Sequence, residues 1–214
     1  MLRTASGPEG LKRREVTIEQ TAAGLTVRAK QVGHGFWEHL FGGKTKEEVT
    51  IKAPRQIALT LKGINGGVTS GDIDGALEVK GVNGRVDLGQ ANQTATISGV
   101  NGNISVGFNS LGDSGARLSG VNGNLELKLG AGVNAQLTAK GMNGNVRSEI
   151  PDVTIENEEH GSRYSARIGT GGAPLTISGI NGNVRLTRAA SVATTEKPDE
   201  KKADTEVKTI ASEK

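Results

Sequence analysis

The 214-residue chain has no cysteine, one tryptophan, one tyrosine and three phenylalanines. Without thiols, disulfides and thiolate metal sites are excluded, and composition is silent on redox compartment. So few aromatics leave a core to be assembled from Val, Ile, Leu and Ala, the side chains that pack well on a pleated surface. No stretch approaches the roughly 20 apolar residues of a membrane-spanning helix. The start, Met1-Leu2-Arg3-Thr4-Ala5-Ser6-Gly7-Pro8, lacks the apolar run of a signal peptide. Taken as a genuine start, it predicts a cytoplasmic protein. Charge bias is missing too: 26 basic residues stand against 23 acidic ones. They are spread along the chain, an ordinary solvated surface that argues against a nucleic-acid partner.

What is abundant is glycine. The 32 glycines follow no collagen-like triplet and so imply many turns with φ > 0. They belong to an internal repeat. The tetrapeptide Gly-[Val/Ile/Met]-Asn-Gly occurs six times, with its asparagine at Asn65, Asn83, Asn101, Asn122, Asn143 and Asn181. Successive spacings are 18, 18, 21, 21 and 38 residues. The last is close to two units and predicts one further copy that has lost its Asn-Gly. The flanks repeat as well, as in Leu77-Glu78-Val79-Lys80-Gly81-Val82-Asn83-Gly84-Arg85-Val86-Asp87-Leu88. On both sides of the turn, apolar and polar residues alternate with period two, the mark of half-buried strands.

Two all-β architectures use such a unit. Asn-Gly between alternating strands is a strong hairpin signal, because a type I′ turn needs φ > 0 twice. Six hairpins would give an antiparallel meander. That arrangement would point Ile64, Val82, Val100, Val121, Met142 and Ile180 away from the face their neighbours share. In a β-solenoid, a single-stranded parallel β-helix with coils of about 18–21 residues, the glycine two before each asparagine turns that apolar residue inward. Equivalent residues then stack about 4.8 Å apart, Asn upon Asn and Ile upon Val. A lone coil buries too little to offset its ordering entropy, so the unit must repeat. The solenoid, with seven or eight coils, is the favoured reading.

The predicted organisation follows. Residues 1–14 form a disordered basic N-terminus, 15–188 the solenoid domain, and 189–214 a polar, disordered tail. Within the domain, 15–61 is a strand-rich lead-in carrying an insertion at 31–48, and 59–188 holds the repeats. Val16-Thr17-Ile18 and Leu25-Thr26-Val27-Arg28-Ala29 read as paired strands. Val153-Thr154-Ile155 and Tyr164-Ser165-Ala166-Arg167-Ile168 read as strands around an acidic turn at Glu156-Asn157-Glu158-Glu159.

The repeated Gly-Val-Asn-Gly-x-Val-x-Leu unit resembles that of a bacterial β-strand-repeat family of adhesin-like domains of unknown function. Val49-Thr50-Ile51-Lys52-Ala53-Pro54 leading to Leu59-Thr60-Leu61 is similar to that family's lead-in. Ser162-Arg163-Tyr164-Ser165-Ala166-Arg167-Ile168-Gly169-Thr170-Gly171-Gly172 resembles its closing signature. The similarity spans roughly residues 15–188. It implies a place in the cell envelope or outside the cell, with membrane association only through a segment missing upstream of Met1. The family has no agreed catalytic residues, so none is carried over.

Candidate sites are sparse. His34, His39 and His160 are the only histidines, and His34 and His39 miss the i, i+4 spacing of helical metal ligands. Gly71-Asp72-Ile73-Asp74-Gly75 sets two carboxylates at alternate positions, too few for a complete Ca²⁺ loop. Asp72, Asp74, Asp87 and Glu126 would line an exterior groove if the chain were a polysaccharide-acting β-helix enzyme. The asparagine column reads as a structural turn. Phe36, Trp37 and Phe41, three of the five aromatics, read as a cap on the solenoid's N-terminal end or as a partner-binding patch. No metal, cofactor or catalytic residue is expected. The favoured function is a non-catalytic, adhesin-like envelope protein presenting flat faces to a protein or glycan. The alternatives are the enzyme and a scaffold that self-associates end to end. Deleting residues 33–43 is expected to lower the thermal midpoint if they cap the core. Unchanged unfolding with lost association would assign them to partner contact.

Overall fold

The computed structural model describes the backbone of residues 2–5, 14–21, 24–31, 46–151, 153–158, 162–189 and 204–212, and the side chains of 51–151, 153–157 and 162–189. Every regular element among them is a strand. Strands β1 (Leu2–Ala5), β2 (Arg14–Thr21), β3 (Gly24–Gln31) and β4 (Lys46–Pro54) come first, and β5 (Leu59–Ser70) opens the repeats. Strand pairs then flank each Asn-Gly: β6 (Leu77–Asn83) with β7 (Val86–Gln90), and β8 (Ala95–Asn101) with β9 (Ile104–Phe108). β10 (Ala116–Asn122) with β11 (Leu125–Leu129), and β12 (Ala135–Asn143) with β13 (Val146–Ser148), continue the series. β14 (Glu156–Glu158) and β15 (Arg163–Ile168) precede β16 (Ala173–Asn181) and β17 (Val184–Arg188), and β18 (Asp204–Ser212) comes last. The chain is all-β, and β5–β17 form a thirteen-strand, mostly parallel sheet that is not closed.

The pairing runs from repeat to repeat. One parallel ladder follows β5–β6–β8–β10–β16–β12. The other follows β5–β7–β9–β11–β17–β13, so β5 serves both. Like residues face like: Val82, Val100, Val121, Ile180 and Met142 stand in one register, and Leu88, Val106, Leu127 and Leu186 in another. A hairpin meander would instead pair the two arms of each unit antiparallel.

Glycine geometry explains the corner. Gly81 has φ 63°, which resets the in–out alternation, so Val79 and Val82 are both buried although three residues apart. Gly84 serves a different need. A Cβ there would lie 2.3 Å from the carbonyl oxygen of Gly66 in the adjacent layer. Inward side chains of both ladders join one apolar cluster, with Ile97, Leu118, Leu127 and Ile177 wholly buried. The cluster also takes in Phe108 and Tyr164, which corrects the expectation of a core without aromatics. Phe108 is paired in register with Leu129, and the Tyr164 hydroxyl donates to the Gly144 carbonyl at 3.2 Å.

The layers do not follow chain order. β16 pairs with β10 on one side and β12 on the other, so the last repeat lies between two earlier ones. Among the described residues, no degenerate copy fills the 38-residue spacing. Instead β15 lies antiparallel on the far edge of β12, with Ala135 opposite Ile168 and Lys140 opposite Arg163. β14 pairs antiparallel with β15, so the predicted acidic turn supplies a strand at 156–158 and Val153-Thr154-Ile155 does not. Ile150 and Tyr164 are buried here, and Val153 and Ile155 pack against the core.

At the opposite end, β2 and β3 pair antiparallel, and β3 meets β5 through Leu25 and Leu59. β18 pairs antiparallel with β4 and β5, and β1 with β4. The segments 1–14 and 189–214, expected to be disordered, thus each contribute a strand. The charged composition of Asp204-Thr205-Glu206-Val207-Lys208-Thr209-Ile210-Ala211-Ser212 masks four β-branched residues, which favour extended backbone. No helix among the described residues is long and apolar enough to cross a membrane.

The layer order is directly testable, because the chain has no native cysteine. Neighbouring strands lie about 4.8 Å apart, within the Cα separation of about 4.4–6.8 Å that a disulfide needs. The double variant Asn122→Cys/Asn181→Cys is expected to crosslink on mild oxidation, read by its altered mobility on a non-reducing gel. Asn122→Cys/Asn143→Cys, two layers apart, should stay reduced.

Candidate binding groove

The six asparagines of the repeated turn meet in one line. Asn83 Nδ2 donates to Asn65 Oδ1 at 3.1 Å, Asn101 to Asn83 at 3.2 Å and Asn122 to Asn101 at 3.2 Å. Asn181 then donates to Asn122 at 3.0 Å, and Asn143 to Asn181 at 2.9 Å. Every bond runs in the same direction.

A second asparagine line lies beside it, and the sequence reading overlooked it. In four of six copies the residue after Asn-Gly is also asparagine: Asn103, Asn124, Asn145 and Asn183. Asn103 Oδ1 accepts the backbone N–H of Asn124 at 2.9 Å, and Asn124 Oδ1 that of Asn183 at 3.0 Å. Asn183 Oδ1 accepts from Asn145 at 3.1 Å. A backbone N–H can only donate, so these bonds fix which way the amides of Asn103, Asn124 and Asn183 face. Their oxygens are used within the ladder, leaving their Nδ2 groups as outward donors.

This line forms one side of a shallow depression of about 380 Å³ on the outer face of the second ladder. Its origin is one short outward side chain. β9 is Ile104-Ser105-Val106-Gly107-Phe108, and Ser105 stands in register between Asp87 on β7 and Glu126 on β11. Two long side chains flank a short one, so the sheet surface dips at Ser105. That serine is only 6% exposed and donates to Glu126 Oε2 at 3.1 Å.

Arg85 and Arg185 also line the depression. Arg85 Nε and Nη2 grip the two carboxylate oxygens of Asp87 at 2.6 and 3.1 Å, a bidentate pair. Arg185 Nε donates to Glu149 Oε1 at 2.7 Å. Both guanidinium pKa values are raised, Arg85 by the hydrogen bond to Asp87 and then its charge, Arg185 likewise by Glu149. The charge of Glu126 adds to both shifts. The site therefore offers arginine and amide donors alongside carboxylate acceptors.

Of the four carboxylates expected to share a groove, only Asp87 and Glu126 do so. Asp72 and Asp74 sit at another corner, around Arg55, at 3.3 and 3.1 Å from Nη2. Asp72 Oδ1 also accepts the Gln90 N–H at 2.8 Å, and Asp74 Oδ1 accepts from Asn92 Nδ2 at 2.6 Å. Arg55 thus supplies the positive charge that a cation would bring to the Gly71–Gly75 segment. Among the described residues no cluster of three or more His, Cys, Asp or Glu could hold a metal ion. His34, His39, His160, Phe36, Trp37 and Phe41 lie outside the described residues.

Searches of protein-family models, of curated proteins and of solved structures return no match to this chain.

On the outer face of the first ladder, Glu78 is paired with both Lys62 and Lys80. Hydrogen bonds from Lys80 and then Lys62 lower the pKa of Glu78. A lowered folded-state pKa contributes stability that is fully present above the unfolded value of about 4.3 and is lost as pH falls through the folded value. Glu78→Gln is expected to be slightly less stable than the parent at neutral pH and low salt. In urea titrations that difference should vanish on acidification and shrink with added salt.

Proposed function

We propose that the chain is a β-solenoid that serves as a non-catalytic, adhesin-like surface, holding the outer face of its second ladder against a glycan or protein of the cell envelope. The observation that carries this reading is the in-register parallel pairing of like residues across units of 18–21 residues, with both asparagine lines running along it. Stacking of this kind yields a long, rigid face, and its outward groups repeat at the layer spacing of about 4.8 Å. A partner that is itself repetitive engages several such groups at once.

The chemistry of the depression favours a glycan. Sugar hydroxyls both donate and accept, and they meet Asn and Arg donors beside Asp87 and Glu126. An adhesin-like role in the envelope rests on the repeat resemblance, and export would follow from it.

The test is binding of the full chain to arrayed glycans and to envelope proteins, followed by Arg185→Ala and Glu126→Gln on any ligand found. Loss of one charge-assisted hydrogen bond should weaken binding by about tenfold or more. Both side chains reach solvent, so the thermal midpoint should hardly move. Binding that ignores both substitutions would remove the groove from the proposal.

A second reading is favoured by one observation: Asp87 and Glu126 flank Ser105 within a single depression. A β-helix glycosidase would use two such carboxylates as acid and base or nucleophile. Hydrolysis of a bound glycan that is abolished by Glu126→Gln would establish that reading, whereas binding without turnover supports the first. End-to-end assembly is a weaker third reading, because the antiparallel β15 already occupies the far edge of β12.

A further inference from the structure

We propose that Asn143 is the preferred site of spontaneous backbone modification in this chain, converting through a succinimide to aspartate and isoaspartate. An Asn-Gly pair reacts when the glycine amide nitrogen, having given its proton to solvent, attacks the asparagine Cγ. The new N–Cγ bond forms, the Cγ–Nδ2 bond breaks, and Nδ2 leaves as ammonia after taking a proton from water. Water then opens the ring at one carbonyl or the other. No oxidant or reductant takes part. Glycine favours ring closure because it has no Cβ to obstruct the approach.

All six repeats carry this pair, yet the fold engages most of the reacting groups. Asn83, Asn101, Asn122 and Asn181 each donate one side-chain bond along the column and accept another. The nucleophile is occupied as well. The amides of Gly84, Gly102, Gly123 and Gly182 all donate at 3.0 Å to the turn asparagine carbonyl of the next layer. Reaction at any of these four needs three hydrogen bonds to open. Asn65-Gly66 lies inside β5, where Asn65 pairs with Asn83 and Gly66 with Ala211 of β18.

Asn143 ends the column. Among the described residues its exposed side chain makes a single bond, donating to Asn181 Oδ1 at 2.9 Å. The Gly144 N–H donates to no acceptor among the described residues. The reason is topological. β15 pairs with β12 up to Lys140 and Arg163, and one further bond runs from the Met142 N–H to the Ser162 carbonyl. Among the described residues, β15 thus reaches this corner only through the Tyr164 hydroxyl, which donates to the Gly144 carbonyl at 3.2 Å and leaves the Gly144 N–H without an acceptor. The inserted position of the last repeat places Asn143, rather than Asn181, at this end.

The product changes the contact. A carboxylate at position 143 replaces the donor that faces Asn181 Oδ1 with an acceptor, removing the column's tie between the last two layers.

The experiment incubates the full folded chain in mildly alkaline buffer and follows each Asn-Gly peptide by mass spectrometry with isoaspartate detection. A parallel incubation in urea supplies the intrinsic rates. In the folded chain Asn143 should convert about tenfold or more faster than Asn83, Asn101, Asn122 and Asn181, as two fewer hydrogen bonds must open. In urea the six sites should converge. Conversion of any of those four as fast as Asn143 would overturn the proposal. So would an unreacted Asn143 in folded protein over a period that converts it fully in urea.

Discussion

The structure depends on the close approach of successive layers at the Gly-x-Asn-Gly corner. There, the amides of Gly84, Gly102, Gly123 and Gly182 donate to the next layer's asparagine carbonyl, and the asparagine side chains bond along the same axis. A Cβ on Gly102 would sit 2.2 Å from the Gly84 carbonyl oxygen, so this spacing is incompatible with any larger residue. The corner fixes register, because a slip of one residue would place a side chain where only glycine fits. Register in turn brings Ile97 over Leu118 and Val106 over Leu127. The apolar interior follows from the backbone contact as much as it drives it.

Much of this was legible in the repeat. Period-two alternation located both strands of each unit, and the glycine two before each asparagine accounted for the burial of Val82 and Val100. The parallel sense was legible only by elimination, since Asn-Gly also suits a hairpin. The order of layers could not be read at all. Val121, Met142 and Ile180 are close enough in size that Asn122 accepts either neighbour, and nothing local to β10 distinguishes β12 from β16. That choice is made by the segment between them, whose strand β15 occupies the far edge of β12. The short polar run at 156–158 and the charged run at 204–212 were obscured by composition, which reports solvation better than it reports pairing.

The groove shows the same division. Asp87 and Glu126 were identifiable as outward carboxylates from alternation alone. Their proximity was not, because it depends on which repeats are adjacent and on the short side chain of Ser105 between them. Asp72 and Asp74 carried the same pattern yet belong to a different corner, where Arg55 gathers them from a position outside the repeat. The second asparagine line was present in the sequence as Asn-Gly-Asn. Its meaning emerges only when backbone donors from the adjacent layer fix the amide orientation of Asn103, Asn124 and Asn183.

One consequence follows from the position of β16 and β17. In a simple stack, the C-terminal repeat is the outermost and can be trimmed without disturbing what lies beneath. Here its removal would excise an interior slab, leaving β10 and β11 with only β8 and β9 as neighbours and parting β12 through β15 from the rest of the stack. A nascent chain therefore holds two unfinished surfaces until residue 188 has been made, and its later-folding part completes the middle rather than the end.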